Sequence, residues 1–578
     1  MTGGNGSWRP VRRSWALLAA GLVATAGLTV PSTAAADTAP LTGTAASPPR
    51  AALPSVTGRR WVQGAPPPAT VSTDPLPTWQ VDGVVWSQVL VGETVYATGS
   101  FTRARPPGVA PGGAGEIPAL NLFAYDITTG DRVATFSHAL NGQGRVITAS
   151  PDGSRVYVGG DFTTVDGVAA GHVAAFSTST GALDRSFRVT VSSTVRSMAA
   201  SASTLYLGGS FGTVNGGGRK GLAAVKAVGG TLLPWAPRTD SGAVLAMVLA
   251  PDQSRLIVGG SFQTLNGAYA YGMGSLSAST GAVLPWAANR TIRSAGSAAG
   301  ITSLRTDGTL VYGSGYQFLP TGGGNFEGTF GADPLTGAIT VVNDCHGDTY
   351  DVLPVGPVLY SVGHAHDCRW VGSFPDTSPR VRWQRALAQT TAATRTNTGP
   401  DAYGWDYSGQ PASTVLHWFP QMPPGTFTGQ QQAAWSLTGN ASYIAMGGEF
   451  PSVNGTPQQG LVRMAVTSLV TDLQGPTYSV KPSRPVPQTT ATTVAPGSVQ
   501  VDFGTAWDTD NKTLTYDVLR DDTTWVHSRR VKTSFWSLPT QSFTDTGLTP
   551  GASHHYRVRI TDPFGNTLWS PRSSTVTA

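Results

Sequence analysis

The densest concentration of ligand-type side chains in the sequence lies around its only two cysteines, Cys345 and Cys368: Asp344, His346, Asp348, Asp351, His364, His366 and Asp367. Imidazole nitrogens and carboxylate oxygens are zinc and copper ligands, and His364-x-His366 on an extended segment puts both rings on one face. The local register argues against convergence. Val352 to Val355 and Val358 to Val362 flank Gly356-Pro357 as a hairpin, and a ladder centred on that bond sets residue 345 opposite residue 368. The same register sends His346, Asp348 and Asp367 to the face opposite His364 and His366. The expectation is a Cys345–Cys368 disulfide worth about 3 kcal/mol, flanked by polar rim residues, with no metal and no cofactor. His364 and His366 are the positions a metal would use.

A second chemistry is stacking. Residues 375–432 carry Tyr403, Trp405, Tyr407, Trp418, Phe419 and Phe427 amid Gly, Pro and Gln. Long insertions are often functional, so Tyr403, Trp405, Tyr407 and Trp418 are the candidate ligand-binding platform for sugar rings. Hydrolysis needs paired carboxylates or an activated nucleophile. The four glutamates, Glu93, Glu116, Glu327 and Glu449, are scattered, and Glu449 occupies a repeat position held elsewhere by Asp161, Ser210 and Ser261. No catalytic residues are assigned.

The elements that must position these residues follow from a repeat. With 71 glycines, 42 prolines and 12% charged residues, the composition favours short strands and tight turns over helices. Residues 156–167 (VYVGGDFTTVDG) recur at 205–216, 256–267 and 444–455, with weaker copies at 95–101 and 311–318. Around the second copy, Val146 to Ser150, Arg155 to Phe162, His172 to Ser177 and Leu183 to Phe187 alternate with turns, which predicts four antiparallel strands per unit. Four-stranded units repeated radially make a β-propeller, and seven units are counted, near Val84, Val146, Val195, Val244, Ile301, Val352 and Ala434. Phe136, Phe187, Trp235 and Trp286 recur with the repeat and are read as packing between blades.

These Gly-Gly-x-Phe-x-x-Val-Asn-Gly units resemble the delta-sixty repeat of secreted bacterial proteins, a repeat of unknown function. The resemblance spans roughly residues 80–470, and it implies a propeller fold and an extracellular setting without supplying catalytic residues. Beyond it, Leu548-Thr549-Pro550-Gly551 followed by Tyr556 resembles the tyrosine corner of a fibronectin type III domain, with Trp507 as its buried early tryptophan. Such modules often accompany polysaccharide-acting proteins in bacteria.

The predicted architecture is therefore all-β: a seven-bladed β-propeller over residues 79–472, a linker over 473–484 and a fibronectin type III-like β-sandwich over 485–578. Arg9, Arg12 and Arg13 precede an apolar run from Trp15 to Val30 and Ala34-Ala35-Ala36, which reads as a signal peptide over 1–36. A leader rich in Ala, Pro and Thr follows over 37–78. Cleavage removes three arginines and no acid, lowering the formal charge from +5 to +2, and no basic cluster interleaves with aromatics, so nucleic acid is excluded as a partner. The expected product is a secreted or surface-held monomer with no membrane span. It binds an extracellular glycan or a cell-surface protein, and the competing class is a glycoside hydrolase or lyase.

Overall fold

The second repeat unit shows why these residues fold as they do. Gly144–Ala149 pairs with Arg155–Gly160, which pairs with Val173–Ser177, all antiparallel. The alternating apolar residues Val156, Val158 and Phe176 are buried. The paired glycines are required by close approach: a Cβ on Gly159 would meet Val195 Cγ1 of the next unit at 2.8 Å, and one on Gly160 would meet the Gln143 carbonyl at 2.4 Å.

The computed structural model describes residues 66–318, 324–478 and 486–578. Within them, seven sheets repeat this pattern. Their innermost strands are Val84–Val91, Gly144–Ala149, Val195–Ala200, Val244–Leu249, Ala299–Thr306, Thr349–Val355 and Ala434–Gly439. Each packs against the next, and the seventh packs against the first, closing a ring. The protein is a β-propeller, and apart from one short turn, Ala288–Thr291, it contains no α-helix among the described residues. Among the described residues, no helix is long and apolar enough to cross a membrane.

Most units do not reach the four full strands expected. Outside the fourth and fifth sheets, the outer segment makes only isolated bridges such as Phe176↔Leu183. The side chain of Asp184 explains the second unit, because it accepts from Ser186 N at 3.0 Å and Ser186 Oγ and so turns the chain away after one bridge. Phe136, Phe187, Trp235 and Trp286 are buried, with Phe187 5.5 Å from Tyr157 and Trp235 5.2 Å from Tyr206.

The signal-peptide residues and the first part of the leader lie outside the described residues. The end of the leader, up to residue 78, is not a free extension. Ser72 N donates to Ala465 O and Leu76 N to Arg463 O, both at 2.9 Å, so this segment lies along the outer strand of the seventh sheet, Leu461–Ala465. Buried Arg463 clamps the seam, donating to the carbonyls of Pro77 at 2.9 Å, Ile127 at 3.2 Å and Thr128 at 2.7 Å. A hydrogen bond from a charged donor is worth about 1.5–3 kcal/mol, and orphaned carbonyls add to its loss. Arg463→Met should therefore destabilise the propeller by about 3 kcal/mol in urea titration. A midpoint matching the wild type would show that the clamp holds nothing.

The C-terminal residues form two facing sheets. One contains Thr490–Ala495, Ser498–Phe503 and Gln541–Thr546; the other contains Thr524–Lys532, Thr513–Arg520, Tyr556–Thr561 and Thr567–Trp569. Val499, Val501, Tyr516, Val518, Tyr556 and Val558 share its core. The start placed at residue 485 is late: Thr477 exchanges backbone hydrogen bonds with Trp507, and Tyr478 joins this core. Trp507 does not. It is buried 5.5 Å from Phe535 in a cluster with Phe374 and Phe419 of the propeller, because the preceding strand ends at Phe503 and the chain crosses to the junction. Phe419 N donates to Thr509 O at 2.8 Å across the same seam. The module is docked on the propeller by an aromatic cluster.

Candidate functional site

The innermost strand of every sheet carries a one-residue register shift at its start. The skipped residues are Trp86, Arg145, Arg196, Leu245, Thr302, Tyr350 and Trp435. A bulge takes its residue out of the pairing alternation and re-aims its side chain. Here it happens at equivalent points of seven strands around one axis, so the seven side chains ring one mouth of the central channel. All seven are half-buried.

Neighbours in this ring touch. Trp86 and Trp435 lie 4.9 Å apart, Tyr350 and Trp435 4.1 Å, and the Arg145 guanidinium sits 5.0 Å from the Trp86 ring centre. The repeat position occupied by Asp161 and Glu449 fixes them. Asp161 Oδ2 accepts from Gln143 Nε2 at 2.8 Å and pairs with Arg145 Nε at 3.3 Å, and Gln143 in turn accepts from Trp86 Nε1 at 3.0 Å. Glu449 Oε1 accepts from Trp435 Nε1 at 3.1 Å. Loss of hydration, together with the facing charge of Arg196, pulls Arg145 below the usual arginine range. Two guanidiniums on one side of a partly dry mouth, beside three aromatic rings, form an anion-attracting stacking surface.

Beneath Tyr350 lies the predicted His/Asp cluster, and the same bulge rearranges it. Past Tyr350 the pairing slips by one residue, so His364 N donates to Asp348 O at 3.0 Å and His366 N to His346 O at 2.8 Å. The residues expected on opposite faces therefore meet, with the His346 and His366 rings 6.1 Å apart. Cys345 and Cys368 are bonded. Tyr350 Oη donates to Asp348 Oδ2 at 2.9 Å and ties the cluster to the ring above.

His364 and His366, the expected metal positions, are not brought together as ligands. His364 Nε2 accepts from Asp348 N at 3.2 Å, its Nδ1 lies 2.6 Å from Gln432 Nε2, and His366 Nδ1 pairs with Asp376 Oδ2 at 3.3 Å. Burial lowers both, to about 4 and about 3, so they stay neutral. The ligand-type atoms that do converge belong to Asp344, His346 and Asp401, all within 4.8 Å of one another. His346 Nε2 stands 2.7 Å from Asp401 Oδ2 and 3.6 Å from Asp344 Oδ2. Burial opposes charge on His346, but the two carboxylates outweigh it and raise the imidazole to about 10.

Glu327 is the residue that sequence reasoning passed over. It is 7% exposed, and its Oε2 accepts from Gly347 N at 2.9 Å. Burial, then the charge of Asp348, pushes it up to about 8. Isolated in the sequence, it gave no sign of the company it keeps. The native chain thus holds a proton that the unfolded chain releases above its ordinary range of about 4.5, and this contribution to stability is lost as pH rises toward 8. Glu327→Gln keeps an acceptor for Gly347 N–H and removes the titration. The melting temperature of the variant should fall less steeply than that of the wild type between pH 5 and 8; parallel curves would refute the assignment.

The four aromatics expected to form a platform do not. Trp418 is completely buried 5.2 Å from Tyr360, and Tyr407 is buried with its hydroxyl donating to Asn325 O at 2.7 Å. Asp401 Oδ1 accepts from Tyr403 N and Trp405 N, both at 2.8 Å, and this turn folds the insertion back onto the propeller. Tyr403 is left stacked on His346 at 4.6 Å, and Trp405 is half-buried beside it.

No family model and no curated protein matches the chain. Among solved structures, it is similar to a chain of the mitotic checkpoint complex at 10% identity and a TM-score of 0.37, over 70% of this chain and 99% of that one. It is also similar to a chain in the complex of KlAtg21 with the coiled-coil of AgAtg16, at 11% identity and a TM-score of 0.30, over 66% and 98%. A third likeness, to the tricorn protease, has 10% identity and a TM-score of 0.27, over 80% and 44%.

Proposed function

We propose that the chain is an exported binding protein of the delta-sixty-repeat type, a seven-bladed propeller whose channel mouth takes an acidic glycan, carried with a fibronectin type III-like module. The observation that carries this reading is the ring of bulge residues: Trp86, Tyr350 and Trp435 offer faces for sugar rings, and Arg145 and Arg196 offer guanidiniums for a carboxylate or sulfate. The carboxylates that touch this ring, Asp161, Asp348 and Glu449, each accept from a ring residue, and Asp161 and Glu449 are taken up by donors that hold the ring residues in place. That favours recognition over cleavage. Two antiparallel sheets sharing a core support the fibronectin-like reading, although Tyr556 Oη donates to the Asp545 carboxylate at 3.0 Å instead of to the backbone. The test is calorimetric titration of the mature protein with a uronic-acid oligosaccharide and a neutral one of equal length. Saturable binding of the acidic ligand alone supports the reading; equal binding or none refutes it.

The competing reading is glycosidic cleavage, favoured by one observation: Glu327 holds its proton next to Asp348, as a general acid must. Release of reducing ends from the bound polysaccharide, abolished by Glu327→Gln, would establish it.

A further inference from the structure

The imidazole of His346 and the carboxylates of Asp344 and Asp401 come from three separate segments. Asp344 ends the outer strand of the fifth sheet, Ile339–Asp344; His346 lies in the connection to the sixth sheet; Asp401 belongs to the turn that folds the insertion back. The three side chains are buried, at 3%, 1% and 3% exposure.

Backbone donors orient each carboxylate and leave one of its oxygens over. Asp344 Oδ1 accepts from Glu327 N at 3.1 Å, and Asp401 Oδ1 accepts from Tyr403 N and Trp405 N at 2.8 Å. Both Oδ2 atoms then face one nitrogen, His346 Nε2, at 3.6 Å and 2.7 Å. Asp344 Oδ2 is buried without any hydrogen-bond donor. Among the described residues, both aspartates form ion pairs with His346 alone. A single proton on the imidazole cannot balance two carboxylates, and an uncompensated buried charge is costly. A divalent cation in place of that proton brings the site to zero charge and gives the orphaned oxygen a partner.

The separations fit such an ion. Donors around a tetrahedral zinc with bonds of about 2.0–2.1 Å stand about 3.3 Å apart, a value between the two distances found, and all three atoms lie within 4.8 Å of one another. An imidazole ligand favours zinc over calcium and magnesium. Those two also demand six or more oxygens, whereas here each carboxylate has one to offer. Tyr403, stacked on His346, is two-fifths exposed, so a single ring separates the imidazole from solvent. We propose that Asp344, His346 and Asp401 bind one zinc ion, which pins the insertion to the junction of the fifth and sixth sheets.

The probe is zinc itself. The mature chain, stripped with a chelator and dialysed, should withdraw one zinc per chain from a chromophoric indicator, and its melting temperature should rise on loading. X-ray absorption at the zinc edge should show nitrogen and oxygen at about 2.0–2.1 Å and no sulfur at about 2.3 Å. Asp344→Asn keeps an acceptor for Glu327 N–H, and Asp401→Asn keeps one for Tyr403 and Trp405; each should weaken zinc binding about tenfold or more. In chelator, Asp344→Asn should melt at or above the wild type, because an amide donor replaces one of two facing carboxylates; that result also shows that it folds. His366→Gln, which removes the neighbouring imidazole 6.1 Å away, should bind zinc as the wild type does. No zinc uptake by the wild type, sulfur around the ion, unchanged affinity in both aspartate variants, or loss of zinc from His366→Gln would each overturn the proposal.

Discussion

Replacing Arg145 and Arg196 together by methionine should lower the affinity for an acidic oligosaccharide by about a hundredfold or more. Each charge-assisted hydrogen bond to a carboxylate contributes about 1.5–3 kcal/mol, and about 1.4 kcal/mol is tenfold in affinity. Methionine keeps an unbranched apolar stem in place of arginine but removes the guanidinium that sits over the Trp86 ring. Arg145 is the more delicate of the two, since it also pairs with Asp161 at 3.3 Å, and Arg196→Met alone is the cleaner variant. The wild-type affinity should also fall with added salt, because both charges are partly open to solvent, and the double variant should lose that dependence. Trp435→Ala is the companion test of stacking, with a loss of affinity for the acidic oligosaccharide that leaves its salt dependence in place. An unchanged affinity in the arginine double variant would remove the channel mouth from consideration.

Trp418→Ala should destabilise the propeller by about 3–5 kcal/mol, the cost of deleting a large aromatic side chain from a packed core. Trp418 is completely buried in a cluster with Val71, Tyr360, Leu437 and Met464, which links the sixth and seventh sheets to the ring-closing segment. Its removal therefore strikes the place where the ring is sealed. Tyr403→Ala, two-fifths exposed on the same insertion, should cost less than about 1 kcal/mol, as surface substitutions do. Equilibrium urea unfolding of both variants checks the pair. A Trp418→Ala variant as stable as the wild type would return that residue to the list of surface aromatics.

The insertion shows why composition alone misplaced a site. A run of aromatics amid Gly and Pro reads equally as a stacking surface and as the plug of a gap, since both need large flat side chains. Asp401 decides between them. By capping its own turn and reaching His346 it draws the insertion inward, and nothing local to residues 395–412 announces that a histidine more than fifty residues earlier will be waiting. The channel-mouth residues were hidden for a related reason. Trp86, Arg145, Arg196, Leu245, Thr302, Tyr350 and Trp435 share a position in the repeat without sharing a side-chain type, so comparison of the units conceals them.

The sequence by itself paired the two cysteines, though through a register that slips in the structure, where Asp367 N donates to Cys345 O; it determined the all-β class and the repeated strand-turn-strand unit. These rest on short-range facts: turn residues, alternation of apolar side chains, and glycines where a neighbouring strand comes too close for a Cβ. Only the tertiary structure decided which side chains meet. One extra residue at Tyr350 shifts the pairing that a regular hairpin would continue and exchanges the faces on which every later side chain lies. It turns His346 and Asp348 toward His366 and His364 instead of away from them. Closure of the ring then repeats that shift seven times around one axis, which no strand acting alone could do.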